Sequence, residues 1–273
     1  MTFHWPRMTV PAPLLLCVAL SVAGLHLAAC SEPGAAASGE AVSHTEGALT
    51  GDALVLDHDG ERIHVRLAGV RAPREGDAAR QAREHLAELA REAGGALRLE
   101  RLGEDRHGRV LGRVHGPDGD LSEALVSEGW LAVATHADTR EAASLLPLEA
   151  QARAEGRGAW GSGAFAVRGA DPDPLAAYLD SVQIVQGRVT STGQSRQGRV
   201  FLNFGADWRT DFTVAVERRH VRLFEEAGID LAALEGTVVR ARGWMRAENG
   251  PLIALDHPEA LEIVDAPEAA ALP

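Results

Sequence analysis

The stretch Arg62-Ile63-His64-Val65-Arg66-Leu67-Ala68-Gly69-Val70 alternates apolar and polar residues over most of its length. A period of two puts the apolar side chains on one face, so the stretch predicts a half-buried β-strand. Downstream, apolar residues between Asp77 and Ala93 recur at helical spacing, and the pattern stops at Gly94-Gly95. This combination is typical of a helix with a glycine stop. Strand alternation then returns over residues 96–102.

Further predicted strands and helices continue to the end of a first domain. Residues Arg109 to His115 continue the predicted sheet, and Pro117-Asp118-Gly119-Asp120 predicts a turn before a helix that begins at Leu121. A longer helix is predicted from Thr139 to Glu155, and Pro147 is expected to kink or divide it. We therefore predict a first domain over residues 48–165.

A second domain is predicted over residues 181–265, after a polar linker at 166–180 and before a short tail at 266–273. Its predicted strands are Val182–Thr190, Val200–Phe204, Phe212–Val216 and Val238–Trp244, followed by a hairpin turned at Glu248-Asn249-Gly250. Five short strands with one helix after the third favour a small OB-like barrel. The predicted fold class is mainly β with α, built from two small β-barrels.

The amino end carries an export pattern. The apolar run from Leu14 to Leu25 is shorter than the roughly 20 residues of a membrane-spanning helix. It ends at Leu27-Ala28-Ala29-Cys30, which resembles the lipobox of bacterial lipoproteins, in which the cysteine is lipidated. Residues 1–29 are thus predicted to be a signal peptide and 30–47 a flexible tether. A plain cleaved signal and an uncleaved anchor stay open. Ser31 after Cys30 implies the outer membrane, with the protein facing the periplasm.

The charge balance narrows the possible partners. The 273 residues carry 27 basic and 39 acidic side chains, a formal net charge of −12. A surface that attracts polyanions everywhere is therefore excluded. Any contact with nucleic acid must come from a local cluster of arginines.

Several motifs of the first domain occur in a fixed order. They are Thr50-Gly51-Asp52-Ala53, Val65-Arg66-Leu67-Ala68-Gly69-Val70, Asp105-Arg106-His107-Gly108-Arg109, Leu121-Ser122-Glu123-Ala124-Leu125-Val126, and Glu149-Ala150-Gln151-Ala152-Arg153 followed by Gly158-Ala159-Trp160. Together they resemble the staphylococcal nuclease (thermonuclease) family over residues 48–161. The resemblance implies a five-stranded OB-type barrel with three helices and a calcium-dependent phosphodiester hydrolase.

The resemblance also implies roles for individual residues. Asp52 matches a calcium ligand of the family, and Arg66 and Arg109 match its catalytic arginines, which clamp the phosphate. The continuation Arg71-Ala72-Pro73-Arg74 departs from the family pattern, because Arg71 stands at the second Asp ligand and Arg74 at the general-base Glu. Glu75 is a possible substitute acid. Calcium is the expected cofactor of an active enzyme, and none is the expectation if these changes have abolished the site.

Two interpretations of the arginines remain open. Arg71 and Arg74 could join Arg66 and Arg109 as an anion-binding cleft, since guanidinium groups bind phosphate bidentately. Alternatively, Arg71 and Arg74 point into solvent or pair with Glu75 and Asp77.

The aromatic residues of the second domain are also open to two interpretations. Trp208 and Trp244 with Phe201, Phe204 and Phe212 either form a base-stacking face or belong to the core.

The sequence leaves two functions. The first is an exported lipoprotein, attached to the membrane through Cys30, that acts on or binds nucleic-acid phosphodiesters with degenerate catalysis. Its partner would be single-stranded nucleic acid or another phosphate ligand. The second is a non-catalytic envelope module that binds anions or another protein.

Overall fold

The computed structural model describes residues 39–44, 47–135 and 139–264. The predicted signal peptide, Cys30 and the tail at 266–273 lie outside these ranges. The first part of the chain contains eight strands and four helices: β1 (Glu40–His44), β2 (Ala53–His58), β3 (Glu61–Leu67), β4 (Val70–Arg71), α1 (Gly76–Glu92), β5 (Leu97–Glu104), β6 (Val110–Gly116), β7 (Gly119–Asp120), α2 (Leu121–Ser127), β8 (Ala132–Val133), α3 (Thr139–Ala154) and α4 (Gly158–Gly161).

Five of these strands close into a barrel. The order around it is β3-β2-β1-β5-β6, and β6 returns to β3 as a parallel neighbour in the register Val65↔Val110. Inside it, Val65 and Leu67 are fully buried, as the alternation predicts. The predicted strand over 62–70 ends earlier, at Leu67, because Gly69 adopts a positive φ of 69°. The chain turns there, and β4 pairs with β8 instead.

The helices pack on this barrel through apolar stripes. In α1 the buried residues Ala78, Ala82, Leu86 and Ala90 recur every four positions and form the inner face. Helix α3 runs through Pro147, so the proline does not divide it into two helices. Proline removes one backbone donor, and burial of Ala142 and Leu145 in the barrel core offsets that loss.

The second part of the chain forms another mixed sheet. Its elements are β9 (Val167–Gly169), α5 (Pro172–Leu175), β10 (Ser181–Arg188), β11 (Ser191–Gln194), β12 (Val200–Asn203), β13 (Thr213–Val216), α6 (Arg218–Glu226), β14 (Val238–Ala247), β15 (Pro251–Leu255) and β16 (Leu261–Ile263). The strand order is β11-β12-β13-β15-β14-β10-β9.

This sheet has the barrel topology that the sequence predicts. Strand β10 is followed by β11 after only two residues, Val189 and Thr190. In the order β11-β12-β13-β15-β14-β10 these two strands are the first and the last, so the short connection joins the two ends of the sheet. Strands β13 and β15 are parallel neighbours, and α6 lies between β13 and β14 in chain order. The first barrel has the same arrangement, with β3 parallel to β6 and α1 between β3 and β5.

Two predicted boundaries are corrected by the strands. The predicted tether contributes β1, which joins β2 to β5 and thereby completes the first barrel. Only Val42 in β1 is a buried apolar residue, so its sequence lacks a clear strand signal. The predicted linker contributes β9, which pairs in parallel with β10, and Leu175, which packs in the second core.

Both barrels belong to one compact unit. In the part of the chain that the structure describes, no helix is both long enough and apolar enough to cross a membrane.

Candidate functional site

Asp52 lies in the turn that enters β2, and both of its carboxylate oxygens accept hydrogen bonds from the protein. The Thr50 hydroxyl donates to Oδ1 at 2.7 Å. Arg66 Nη2 and the Ala72 backbone N–H donate to Oδ2 at 3.3 and 3.4 Å. The side chain is 16% exposed. Asp52 therefore ties the start of β2 to β3 and to the segment that follows β4.

Arg66 projects from the outer face of β3, because its neighbours Val65 and Leu67 point into the core. Besides Asp52, its Nη2 contacts the carbonyl oxygen of Val70 at 3.5 Å. The guanidinium is thus held between a carboxylate and a backbone carbonyl, and it remains partly exposed.

Arg71 sits on β4, where it pairs with Ala132 of β8. Its guanidinium carbon lies 5.2 Å from the centroid of the Phe165 ring. Burial lowers the pKa of Arg71 to about 10, with Glu149 opposing this effect and Arg242 adding to it. Among the described residues Arg71 makes no ion pair within 4 Å. It is a half-buried cation whose charge is balanced only at longer range.

The residues that follow Arg71 do not rebuild an acidic site. Arg74 and Glu75 are exposed, and Glu75 occupies the N-cap position of α1 without a side-chain hydrogen bond. Asp77 pairs with Arg80 at 3.2 Å. The described residues therefore give Arg74 no partner in Glu75 or Asp77, and none of the hydrogen bonds of Asp52 involves Glu75.

Arg109 is held by the turn that precedes β6. Asp105 Oδ1 accepts the backbone N–H groups of His107 and Arg109, while Oδ2 accepts Arg109 Nε at 2.8 Å. Burial raises the pKa of the Asp105 carboxyl, but these hydrogen bonds and the Arg109 charge outweigh it and hold the pKa at about 2. Asp105 is consequently ionised at neutral pH and fixes the direction of the Arg109 side chain.

The strand register relates Arg109 to Arg66. Val65 pairs with Val110, and Arg66 pairs with Leu111, in the parallel ladder between β3 and β6. Both valines point into the core, so Arg66 and Arg109 project from the outer face of adjacent strands. Arg66 also shares Asp52 with the Ala72 N–H, which lies next to Arg71.

The side chains do not fit the calcium ion that the family implies. Within residues 39–44, 47–135 and 139–264, no group of three or more His, Cys, Asp or Glu side chains is placed to hold a metal. Calcium requires several oxygen ligands. Asp52 offers oxygens already bonded to three donors, and Arg71 adds positive charge nearby.

A buried ionic cluster joins the two barrels, and no pattern in the sequence indicated it. It consists of Glu149 and Arg153 on α3, Arg240 and Arg242 on β14, and Glu262 on β16. We refer to these five residues as the interbarrel cluster. No sequence signal pairs residues 93 positions apart, as Glu149 and Arg242 are, although Glu149 belongs to a motif quoted above.

Glu149 is at the centre of the interbarrel cluster and is fully buried. Arg242 donates to its two oxygens at 3.0 and 2.8 Å, and Arg153 donates at 3.1 Å. The Val133 N–H of β8 completes the set at 2.6 Å. Arg242 also reaches the Val133 carbonyl oxygen at 3.3 Å, so the second barrel contacts the strand that pairs with Arg71.

Glu262 forms the other acidic half of the cluster. It accepts hydrogen bonds from Arg242, from Arg240 at 2.7 Å and from Arg153 at 3.3 Å. Burial raises the pKa of Glu262, but the three guanidinium groups outweigh that effect and lower the pKa to about 2. Burial lowers the pKa of Arg242, whereas Glu149 and Glu262 together raise it above its ordinary value. Glu262 and Arg242 are therefore charged at neutral pH.

Comparison with known proteins confirms the predicted resemblance. Residues 64–162 match the model of the family described as Staphylococcal nuclease homologue. Two relatives described as an uncharacterized endonuclease come from Escherichia coli and Escherichia coli O157:H7. Each is 29% identical to this chain over 136 residues, which make up 48% of this chain and 78% of the relative. These similarities support a function related to nucleic acid.

The matched range does not include every candidate residue. Arg66, Arg71, Arg74 and Arg109 lie within residues 64–162, whereas Asp52 and strands β1 and β2 precede them. The whole second barrel from β10 onward lies beyond the matched range.

Proposed function

We propose that the first barrel binds the phosphodiester backbone of nucleic acid through Arg66, Arg71 and Arg109, and that calcium-dependent hydrolysis is lost. The observation that carries the proposal is the state of Asp52. Its two oxygens are bonded to Thr50, Arg66 and the Ala72 N–H, and a cation stands at the neighbouring ligand position.

Electrostatics supports this choice. Two unit charges about 4 Å apart interact by roughly 4 kcal/mol at an effective dielectric constant near 20, and calcium carries two charges. Replacing a carboxylate by Arg71 thus converts an attraction of this order into a repulsion. The same change favours a phosphate group, because a guanidinium donates two parallel hydrogen bonds to two of its oxygens.

The three arginines have distinct roles in this proposal. Arg109 is oriented by Asp105, and Arg66 is oriented by Asp52, so both donate in fixed directions. Arg71 makes no ion pair among the described residues and contributes the least compensated charge. No general base is available at Arg74, so the bound phosphodiester is not hydrolysed.

We further propose that the protein is exported and attached to the outer membrane, on its periplasmic side, through a lipid on Cys30. The support is the apolar run that ends in Leu27-Ala28-Ala29-Cys30. Single lipid chains bind membranes only marginally, so the diacylated cysteine of a lipoprotein is the relevant anchor.

The test is binding of a fluorescein-labelled 12-nucleotide single strand to the full chain, with calcium and with chelator. We expect equal affinity in both conditions and no cleavage. The combined change Arg66→Gln with Arg71→Gln is expected to weaken binding about tenfold or more, because two phosphate contacts are lost. Arg91→Gln is the matched control, since Arg91 is exposed on α1 and pairs with Glu88. Calcium-dependent cleavage that requires Asp52, or binding unaffected by the double change, would refute the proposal.

A further inference from the structure

Strand β14 presents two different faces. Val239, Ala241 and Met245 are fully buried and point into the core of the second barrel. The alternate positions, Arg240, Arg242, Trp244 and Arg246, therefore share the outer face. Side chains two positions apart on one face lie about 7 Å from each other, so these four form a line along the strand.

The line passes from a buried to an exposed environment. Arg240 and Arg242 are buried, and Arg242 is bonded to Glu149 of the first barrel. Trp244 is 51% exposed, and Arg246 is exposed as well. Arg242 lies close enough to Arg71 to lower the pKa of Arg71, so the buried part of the line is near Arg71.

Arg246 lines an open groove of about 760 Å³ on the second barrel. Arg218, Arg219 and His220 at the start of α6 line the same groove, and Ala254 of β15 contributes as well. Within the described part of the chain, Arg218 and Arg219 are exposed and make no ion pair. His220 Nδ1 is buried and has no hydrogen-bond partner there.

The acidic residues of the groove are already paired. Glu217 forms an ion pair with Arg199 at 3.0 Å, and Asp256 contacts His257. Arg246 itself pairs with Glu248 at 2.8 Å. Arg218 and Arg219 have no acidic partner among the described residues, and these two cations outnumber Asp256, so the net charge of the groove is positive.

The two exposed tryptophans differ in the freedom of their rings. The guanidinium carbon of Arg209 lies 4.6 Å from the ring centroid of Trp208 and covers it. No cation or aromatic ring among the described residues covers Trp244. Its ring is free to stack on a planar ligand beside a cationic groove, which matches the alternating bases and phosphates of a single strand.

We infer that single-stranded nucleic acid runs along the outer face of β14, with a base stacked on Trp244 and phosphates held in the groove by Arg218, Arg219 and Arg246. This inference rests on the proposed function for the identity of the ligand. It adds a second, base-stacking contact on a barrel that the family match does not reach. Double-stranded nucleic acid is disfavoured because its bases are not free to stack on Trp244.

The test compares three probes on the full chain: a 12-nucleotide thymidine strand, an abasic strand of equal length, and inorganic polyphosphate. Stacking of one base contributes about 1–3 kcal/mol, so Trp244→Ala is expected to weaken binding of the thymidine strand by about 5- to 150-fold. Binding of the abasic strand should stay unchanged. Trp208→Ala is the matched control and should alter neither affinity.

The cationic side of the groove is tested by salt dependence. The combined change Arg218→Gln with Arg219→Gln should lower affinity for both strands and reduce the slope of log K against log salt by about 1.4, or 0.7 for each phosphate. The matched control is Arg222→Gln on the same helix, because Arg222 pairs with Glu226 and does not line the groove. This change should alter neither the affinity nor the salt dependence. Circular dichroism of every variant verifies the fold.

The outcomes separate this inference from the proposed function. If Trp244→Ala lowers affinity while Arg66→Gln with Arg71→Gln does not, the β14 site stands and the first-barrel proposal fails. Equal weakening of both strands by Trp244→Ala, no weakening at all, or polyphosphate binding as tight as the thymidine strand would overturn the inference.

Discussion

The substitution Arg242→Met removes one cation from the interbarrel cluster and keeps most of its volume. Glu149 then loses hydrogen bonds at 3.0 and 2.8 Å and retains Arg153 and the Val133 N–H. Because Glu149 is fully buried, water cannot replace the lost partner. Breaking a buried ion pair on one side costs about 3–5 kcal/mol, and the remaining Arg153 places our expectation near 3 kcal/mol.

This loss is large enough to measure by urea or thermal unfolding. For a chain of this size, about 1 kcal/mol shifts the melting temperature by roughly 2–4 °C, so we expect a fall of about 6–12 °C. The matched control is Arg222→Met, whose exposed pair with Glu226 contributes less than about 1 kcal/mol. A double-mutant cycle of Arg242→Met with Glu149→Gln should give a coupling energy of about 1–3 kcal/mol. If Arg242→Met shifts stability no more than the control does, the cluster does not hold the barrels together.

Three further predictions concern calcium, acid and lipid. Millimolar calcium should leave the melting temperature of the protein unchanged. The double change Arg71→Asp with Arg74→Glu should introduce a calcium-dependent rise in melting temperature, because a ligand present at 100 times its dissociation constant adds about 2.7 kcal/mol of stability. If a folded variant shows no rise, the family roles cannot be assigned to Asp52, Arg66 and Arg109. In the folded state the pKa of Glu262 is lowered from 4.5 to about 2. The Glu262 carboxylate therefore contributes about 3 kcal/mol of stability above pH 4.5, and this contribution is lost as the pH falls toward 2. Unfolding measured over this pH range should show the loss in the unchanged protein and not in Glu262→Gln. Cys30→Ala should abolish incorporation of a radiolabelled fatty acid into the protein in cells, and persistent labelling would exclude Cys30 as the anchor.

Local patterns predicted the elements whose residues follow a simple period. Alternation around Val65 and Leu67 predicted β3, the apolar spacing predicted α1, and five strands with one inserted helix predicted the second barrel. The first two signals each lie within one element, and the burial that they imply is found. The third signal is the order of elements, and the strand order of the second sheet agrees with it. Strands β1 and β9 were missed because their sequences are short and carry few apolar residues. Their positions are set by backbone pairing with other strands, β5 for β1 and β10 for β9.

The candidate site was predictable in its residue types and only partly in its contacts. The order of motifs brought Asp52 and Arg66 together, and the structure joins them at 3.3 Å. It did not indicate that Arg109 would be held by Asp105, or that Arg242 would lie near Arg71. On β14 the alternation of Arg240 and Arg242 with apolar residues resembles a solvent-exposed face. Burial of that face by another barrel has no signature within the strand.

The position of Arg242 makes the second barrel part of the electrostatics of the first. Among the charged side chains around Arg71, Glu149 attracts its guanidinium most strongly and Arg242 repels it most strongly. Arg242 also neutralises Glu149 through two hydrogen bonds, which keeps that carboxylate from forming a close pair with Arg71. Without Arg242, Glu149 would be free to attract Arg71 and reduce its positive field toward a phosphate. If Arg71 binds phosphate as we propose, loss of Arg242 should therefore weaken that binding even in molecules that remain folded.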